Sequence, residues 1–272
     1  MSRIFFIVFA KADAPGLCWL WHLNRLHWFW KLAAREFFLR QALITGGARG
    51  IGWGIADAML EAGYAVTVTG LTPDEIKSVP TREHLKAVQL DVTSDAQVAS
   101  LLARFDSLDV LVNCAGIIMR GAEYEIETFK KVVDVNLTGT MRMCVAAKPL
   151  LAKSDNAAIV NTASMLSFFG GPLAPAYAAS KGGISQLTKS LAIAWAAEGI
   201  RVNAIAPGWI STELTRGLTS DEARSAAILA RTPMKRWGEP ADIGGSIVYL
   251  CSDAARFVTG IVLPIDGGYA AM

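Results

Sequence analysis

From residue 41 onward, short runs rich in β-branched and apolar residues alternate with longer amphipathic stretches, and no other feature constrains the fold as much. Runs at 42–45, 65–69, 87–90, 110–113, 158–162, 201–205 and 261–265 read as strands. Stretches at 51–62, 96–105, 125–151, 176–197, 220–231 and 240–252 read as helices. Val110-Leu111-Val112 is continuously apolar, as a strand covered on both faces should be. The expectation is an α/β fold: a single Rossmann-like, doubly wound parallel sheet of about seven strands with helices on both faces. Its ligand crevice should lie at the carboxyl ends of the strands. One domain spans 41–272, with no internal repeat, low-complexity tract or long linker. The chain is 53% hydrophobic and 18% charged, enough apolar material for such a sheet and for subunit contacts.

A formal charge of +2 gives no reason to expect nucleic acid or acidic partners. The four cysteines, Cys18, Cys114, Cys144 and Cys251, are scattered and form no CxxC pair. No disulfide framework or metal site is expected, and a cytoplasmic location is the default. His22, His27 and His84 all fall outside the motifs below, so the chemistry is not expected to use histidine. Residues 1–40 read as an N-terminal extension. They carry Trp19, Trp21, Trp28 and Trp30 among Arg25, Lys31, Arg35 and Arg40, compatible with an amphipathic helix. An interfacial membrane anchor is one reading. A helix on a partner subunit, or sequence upstream of the true start, is preferred.

The first strand runs into Thr45-Gly46-Gly47-Ala48-Arg49-Gly50-Ile51-Gly52, and a helical pattern follows. Glycine allows the tight turn and close backbone approach that a pyrophosphate needs, and the helix N-terminus offers free N–H groups and a positive dipole end. The competing reading is a strand–helix turn with no ligand. The second strand ends in Thr69-Gly70-Leu71-Thr72, without the acidic residue that would bind a ribose 2′-hydroxyl; Asp74 and Glu75 come later. Arg49 inside the loop could instead meet a 2′-phosphate, which tips the expectation toward NADP(H) over NAD(H).

Tyr177 and Lys181 stand four residues apart at the start of a helical pattern, so phenol and ammonium share one face. A free tyrosine, with a pKa near 10, is a poor proton shuttle at neutral pH, and a neighbouring cation makes it a better one. Ser164 follows the strand at 158–162, where a hydroxyl could hydrogen-bond a substrate oxygen. Read singly, these residues could be a surface helix pair and a turn-capping serine.

In this order the motifs resemble those of the short-chain dehydrogenase/reductase family, over essentially all of 41–272. The TGxxxGxG loop at 45–52 is followed by Asp91-Val92 and by Asn113-Cys114-Ala115-Gly116, where the family has Asn-Asn-Ala-Gly. Asn136 lies in Val135-Asn136-Leu137. Then come Ser164, the Tyr177/Lys181 pair, Pro207-Gly208 before Thr212, and Asp266-Gly267-Gly268. The resemblance implies a catalytic set of Asn136, Ser164, Tyr177 and Lys181. It implies a dinucleotide site of Gly46, Arg49, Gly50, Ile51, Gly52, Asp91, Val92, Asn113, Ala115, Gly116, Tyr177, Lys181, Pro207, Gly208, Ile210 and Thr212. Asp91 and Val92 would meet the adenine, and Thr212 the carboxamide. Lys181 would hold the nicotinamide ribose, and Asn136 a water linking Lys181 to solvent. Tyr177 would handle the proton while hydride passes to or from a small carbonyl or alcohol substrate. Cys114 puts one local hydrogen bond in doubt. A homotetramer is also implied, packed through the helices at 125–151 and 176–197.

Residues 163–171 and Arg236-Trp237-Gly238 are similar to the sugar-acid and polyol dehydrogenases of this family, the gluconate and 2-keto-3-deoxygluconate dehydrogenases above all. The alternatives are a 3-oxoacyl-acyl-carrier-protein reductase and a membrane-associated reductase of lipophilic carbonyls. A silent dinucleotide-sensing scaffold is disfavoured because the tyrosine and lysine are both present. Residues 213–236 read as a substrate lid whose composition fixes no ligand.

Overall fold

Val110–Asn113 is buried along its whole length, and so are Ala157–Thr162 and Ile200–Pro207. Strands of this kind need a helix layer on each face. The computed structural model describes residues 39–272, and Arg40–Met272 forms one compact unit. The reading of residues 1–40 falls, but for its last two residues, outside the described part. Seven parallel strands are described: β1 (Gln41–Thr45), β2 (Ala65–Gly70), β3 (Leu85–Gln89), β4 (Val110–Asn113), β5 (Ala157–Thr162), β6 (Ile200–Pro207) and β7 (Val262–Ile265). They lie in the order β3-β2-β1-β4-β5-β6-β7, so the winding reverses between β1 and β4. That reversal opens a crevice at the carboxyl ends of these two strands.

The helices are α1 (Gly50–Glu61), α2 (Pro73–Lys77), α3 (Asp95–Leu102), α4 (Ile126–Val133), α5 (Gly139–Leu151), α6 (Pro175–Trp195), α7 (Arg216–Thr219), α8 (Glu222–Arg231) and α9 (Pro240–Cys251). Strand alternation splits the core in two. Leu43, Leu111, Ile159 and Val202 face α3, α5 and α6 through Val98, Met143, Leu151 and Leu191. Their neighbours Ile44, Val112 and Val160 face α1 and α9 through Ile55, Met59, Ile243 and Ile247. Each such side chain contributes about 1.5–3 kcal/mol on burial.

The single helix expected over 125–151 is interrupted. After α4 the chain makes a π-helical turn, Asp134–Thr138, before α5 begins. The hydroxyl of Thr140 donates to the Asn136 carbonyl at 2.8 Å, taking up a backbone acceptor at the wider turn. The short α2 was also not expected. It is set by a capping box in which Thr72 accepts from the Glu75 N–H while the Glu75 side chain reaches back.

Candidate active site

The loop after β1 needs its glycines for measurable reasons. Gly46 and Gly50 have φ of +64° and +57°, the left-handed region. A Cβ on Gly46 would stand 2.8 Å from the Ala115 Cα, and one on Gly52 would overlap the Gly46 carbonyl oxygen. The loop is therefore pressed against the segment that follows β4. Thr45 Oγ1 accepts from the N–H groups of Cys114 and Ala115, both at 3.2 Å, and Thr69 Oγ1 accepts from Gly46 N–H at 3.3 Å. No side chain caps α1 and no acidic residue stands in its first turn, so its N-terminus is open to an anion. A Cβ on Gly50 would lie 3.6 Å from the Thr212 methyl, so the loop after β6 faces the glycine turn across the crevice. These features fit a dinucleotide pyrophosphate.

Arg49 is exposed and pairs with Glu75 at 2.9 Å. Glu75 also accepts from Leu71 N–H at 2.6 Å, which brings a carboxylate back to the end of β2. The sequence reading passed over Glu75 because it lies beyond the strand; the T-x-x-E spacing from Thr72 was the signal that could have found it.

The residues expected to be catalytic lie just after β5, on α6 and in the π-turn. Lys181 is 4% exposed, donates to the Thr162 carbonyl at 2.6 Å and lies 5.5 Å from the Tyr177 ring centre. Burial pulls its ammonium down to about 8, against a smaller opposite pull from Cys114. Burial pushes the half-buried Tyr177 phenol up, while the Ser164 hydroxyl and the charge of Arg120 pull it down. Ser164 also caps the short turn Met165–Ser167, accepting from Leu166 N–H at 3.2 Å. The capping reading is realised, and the same hydroxyl is hydrogen-bonded to the Tyr177 side chain.

Asn136 is fully buried. Its amide accepts from Ile117 N–H at 2.8 Å and donates to the Ile117 carbonyl at 2.9 Å and to Ser180 Oγ at 3.1 Å. A Cβ on Gly116 would come within 3.2 Å of Asn136 Oδ1 and 3.6 Å of Lys181 Nζ, so the three meet at one point of the crevice wall. Asn113 donates to Asn161 Oδ1 at 2.9 Å, and Asn161 donates to Thr188 Oγ1 at 3.0 Å, a buried polar chain that ties β4 to β5 and α6. Asn161 and Thr188 were missed, since only the fold brings them together. Cys114 lies beside Thr162 and Lys181, and burial raises its thiol.

The remaining expected contacts sit at strand ends. Asp91 follows β3 and accepts from Thr93 N–H and Oγ1 at 2.9 and 2.7 Å. Val92 is buried against Gly139. Pro207 ends β6, and Gly208 approaches Asp266 closely enough that a Cβ would stand 2.6 Å from its Cα. Ile51 and Ile210 turn their side chains into the core. On the far side, the guanidinium of Arg231 stacks on Phe169 and Tyr269 at 5.0 and 4.3 Å, an arrangement no local pattern announced.

The family described as enoyl-(acyl carrier protein) reductase matches residues 46–270. The 2-dehydro-3-deoxy-D-gluconate 5-dehydrogenase of Bacillus subtilis is 41% identical over 239 residues, covering 85% of this chain and 94% of that protein. The enzyme of the same name from Pseudoalteromonas atlantica is 40% identical over 242 residues, covering 84% and 94%. A gluconate 5-dehydrogenase from Burkholderia cenocepacia, solved in complex with NADP and tartrate, superposes with a TM-score of 0.81 at 34% identity, over 86% of this chain and 96% of that one. Fold and comparisons together put the chain among the nicotinamide-dependent oxidoreductases that act on CH–OH groups. It belongs to the short-chain dehydrogenase/reductase family.

Proposed function

We propose that the chain interconverts a secondary alcohol and a ketone of a sugar acid or polyol, with Tyr177 as the proton-transferring residue. The observation that carries this reading is the meeting of Tyr177, Lys181 and Ser164 beside the glycine-lined crevice. When bound, the nicotinamide supplies or accepts the hydride. Tyr177 gives its proton to the developing alkoxide, or takes it back in the oxidative direction. Ser164 donates a hydrogen bond to the same substrate oxygen. Lys181 holds the ribose hydroxyls and keeps a cation near the phenol, and Asn136 holds a water that reaches Lys181. Gly46, Arg49, Gly50, Ile51, Gly52, Asp91, Val92, Asn113, Ala115, Gly116, Pro207, Gly208, Ile210 and Thr212 form the dinucleotide site.

Arg49 is the group offered to a 2′-phosphate and Glu75 is its competitor, so the preference for NADP(H) over NAD(H) is small. The sugar-acid reading draws support from the names of the similar enzymes. The catalytic unit is 41–272, and a chain begun at about residue 36 keeps its rates. Exposed Ile126, Met141, Val145 and Ile193 on α4, α5 and α6 support a homotetramer. A cytoplasmic location fits these readings.

The test is a panel of aldonic acids, polyols and 3-oxoacyl thioesters, assayed by nicotinamide absorbance with each dinucleotide. A sugar acid or polyol should show the highest kcat/KM; preference for a 3-oxoacyl thioester overturns the substrate reading. Tyr177→Phe should lose about 10²–10⁴ in turnover with dinucleotide Kd unchanged. Near-normal turnover in that variant overturns the mechanism.

A further inference from the structure

Glu123 is 1% exposed, yet no cation stands within ion-pair distance of it among the described residues. Its carboxylate is satisfied by backbone alone. One oxygen accepts from Met119 N–H at 2.8 Å and the other from Tyr177 N–H at 2.9 Å. The second contact falls in the first turn of α6, which lacks a cap of its own: Ala174 has no polar side chain and Pro175 has no N–H. Glu123 supplies that cap from another part of the chain, and its charge suits the positive end of the helix. Two further bonds hold the same loop to the segment before α6. Gly121 N–H donates to the Leu173 carbonyl and Tyr124 Oη to the Pro172 carbonyl, both at 2.8 Å.

A neutral side chain could have met a backbone N–H without the penalty of burying a charge. The position of that charge supplies a reason for it. The phenol of Tyr177 is surrounded by Ser164 from the end of β5, by Lys181 on its own helix, and by Cys114, Arg120 and Glu123 from the segment after β4. Among these, Ser164 and Arg120 favour the phenolate, as does the cation of Lys181, while Cys114 and then Glu123 oppose it.

We infer that Glu123 is a positioning residue for proton transfer, holding the turn that carries Tyr177 and setting the charge that the phenol meets. The inference rests on the reading of Tyr177 as the proton-transferring residue. It adds a role for a carboxylate that bonds only to backbone N–H groups.

The test uses the full chain with saturating NADP⁺. Phenolate absorbance is titrated in the wild type, Glu123→Gln and Glu123→Asp, each as a difference from the same protein carrying Tyr177→Phe. Removing the charge in Glu123→Gln should lower the phenolate midpoint. It should also cut the plateau kcat, measured on the best alcohol of the panel, by about tenfold. Glu123→Asp keeps the charge but shortens the reach, so its midpoint should stay in place while kcat falls. A wild-type midpoint in Glu123→Gln overturns the inference, whatever happens to thermal stability. Should Glu123→Gln not fold, Glu123→Asp carries the test, and a plateau rate within about twofold of wild type overturns it. These failures differ from failure of the underlying reading, which shows as turnover surviving in Tyr177→Phe alone.

Discussion

The two banks of the crevice are built on opposite principles. On the β4–β5 bank the polar groups of Asn113, Asn161, Thr188, Asn136 and Lys181 are buried and hydrogen-bonded within the protein, with Asn113 Oδ1 left without a partner among the described residues. On the opposite bank neither α7 nor α8 buries a single residue. That bank is tied down at a few points: the Arg231 stack, Trp237 Nε1 donating to Ser225 Oγ at 2.8 Å, and the Arg236–Asp242 pair. Dense buried contacts hold atoms to one arrangement, whereas a segment with few of them opens and re-forms at low cost. The first bank suits proton transfer, which tolerates little misplacement. The second suits a substrate wall that adapts.

The largest expected effect tests the fixed bank at its charged centre. Lys181→Met should lower turnover by about 10²–10⁴. Its effect on stability should depend on pH with a definite sign. The folded-state value of about 8 lies below the ordinary 10.5, so the unfolded chain binds more protons between those values. The wild type therefore gains stability on this account as pH rises from about 8 toward 10.5, and the Tm difference between the two proteins should shift in its favour over that range. Melting curves at pH 7, 8.5 and 10 measure the trend. A flat difference would mean that the ammonium is not held against its preference.

Glycine substitutions compare the glycine turn, which is pressed against the segment after β4, with the adaptable bank. A Cβ at Gly52 meets only backbone, the Gly46 carbonyl and the Gly47 Cα, neither of which can swing aside. Gly52→Ala should weaken dinucleotide binding by about a hundredfold, or roughly 2.7 kcal/mol, read by fluorescence titration. Gly217 in α7 has nothing within 4 Å of its Cβ position. Gly217→Ala should leave Kd and kcat within about twofold and add a few tenths of a kcal/mol through helix propensity. Comparable losses in both variants would erase the distinction.

The same contrast explains what the sequence could disclose. Tyr177 and Lys181 were readable because a helix imposes a four-residue repeat, and Ser164 because strand ends face the crevice. The glycine turn was readable because few other sequences let a backbone approach so closely. The π-turn at 134–138 left no mark in the local pattern, and the bonds Asn136 makes from it reach Ile117 and Ser180 across the fold. Arg231 finds Phe169 and Tyr269 only through tertiary structure, and Glu123 caps a helix from a distant loop. Local rules expose what local geometry dictates. They are silent where the partner is far along the chain.

At the edge of the fixed bank, the Arg49–Glu75 pair should tune the dinucleotide rather than decide whether it binds. Glu75→Gln removes a carboxylate that both repels a 2′-phosphate and occupies Arg49. The ratio of kcat/KM with NADP(H) to that with NAD(H) should rise by about tenfold, or roughly 1.4 kcal/mol. Steady-state kinetics with both dinucleotides measures it. An unchanged ratio would detach the pair from the adenosine end of the site.

A further small effect belongs to the best-made joint of the adaptable bank. Asp242 accepts from both terminal nitrogens of Arg236 at 2.7 Å and from Glu239 N–H at 2.7 Å, capping α9. The Arg236 hydrogen bonds, then the backbone bond, hold its carboxyl down to about 2. The Arg236 side chain is 53% exposed, so solvent screens most of that interaction, and Asp242→Asn should cost no more than about 1 kcal/mol near neutrality. A depressed carboxyl contributes stability above its unfolded value of about 3.9 and loses it as pH falls toward the folded one. The Tm gap between wild type and Asp242→Asn should therefore be constant from about pH 8 to 5 and close below about pH 4. A loss of several kcal/mol would show that this joint is held as tightly as the Lys181 wall. The division of labour between the banks would then have to be abandoned.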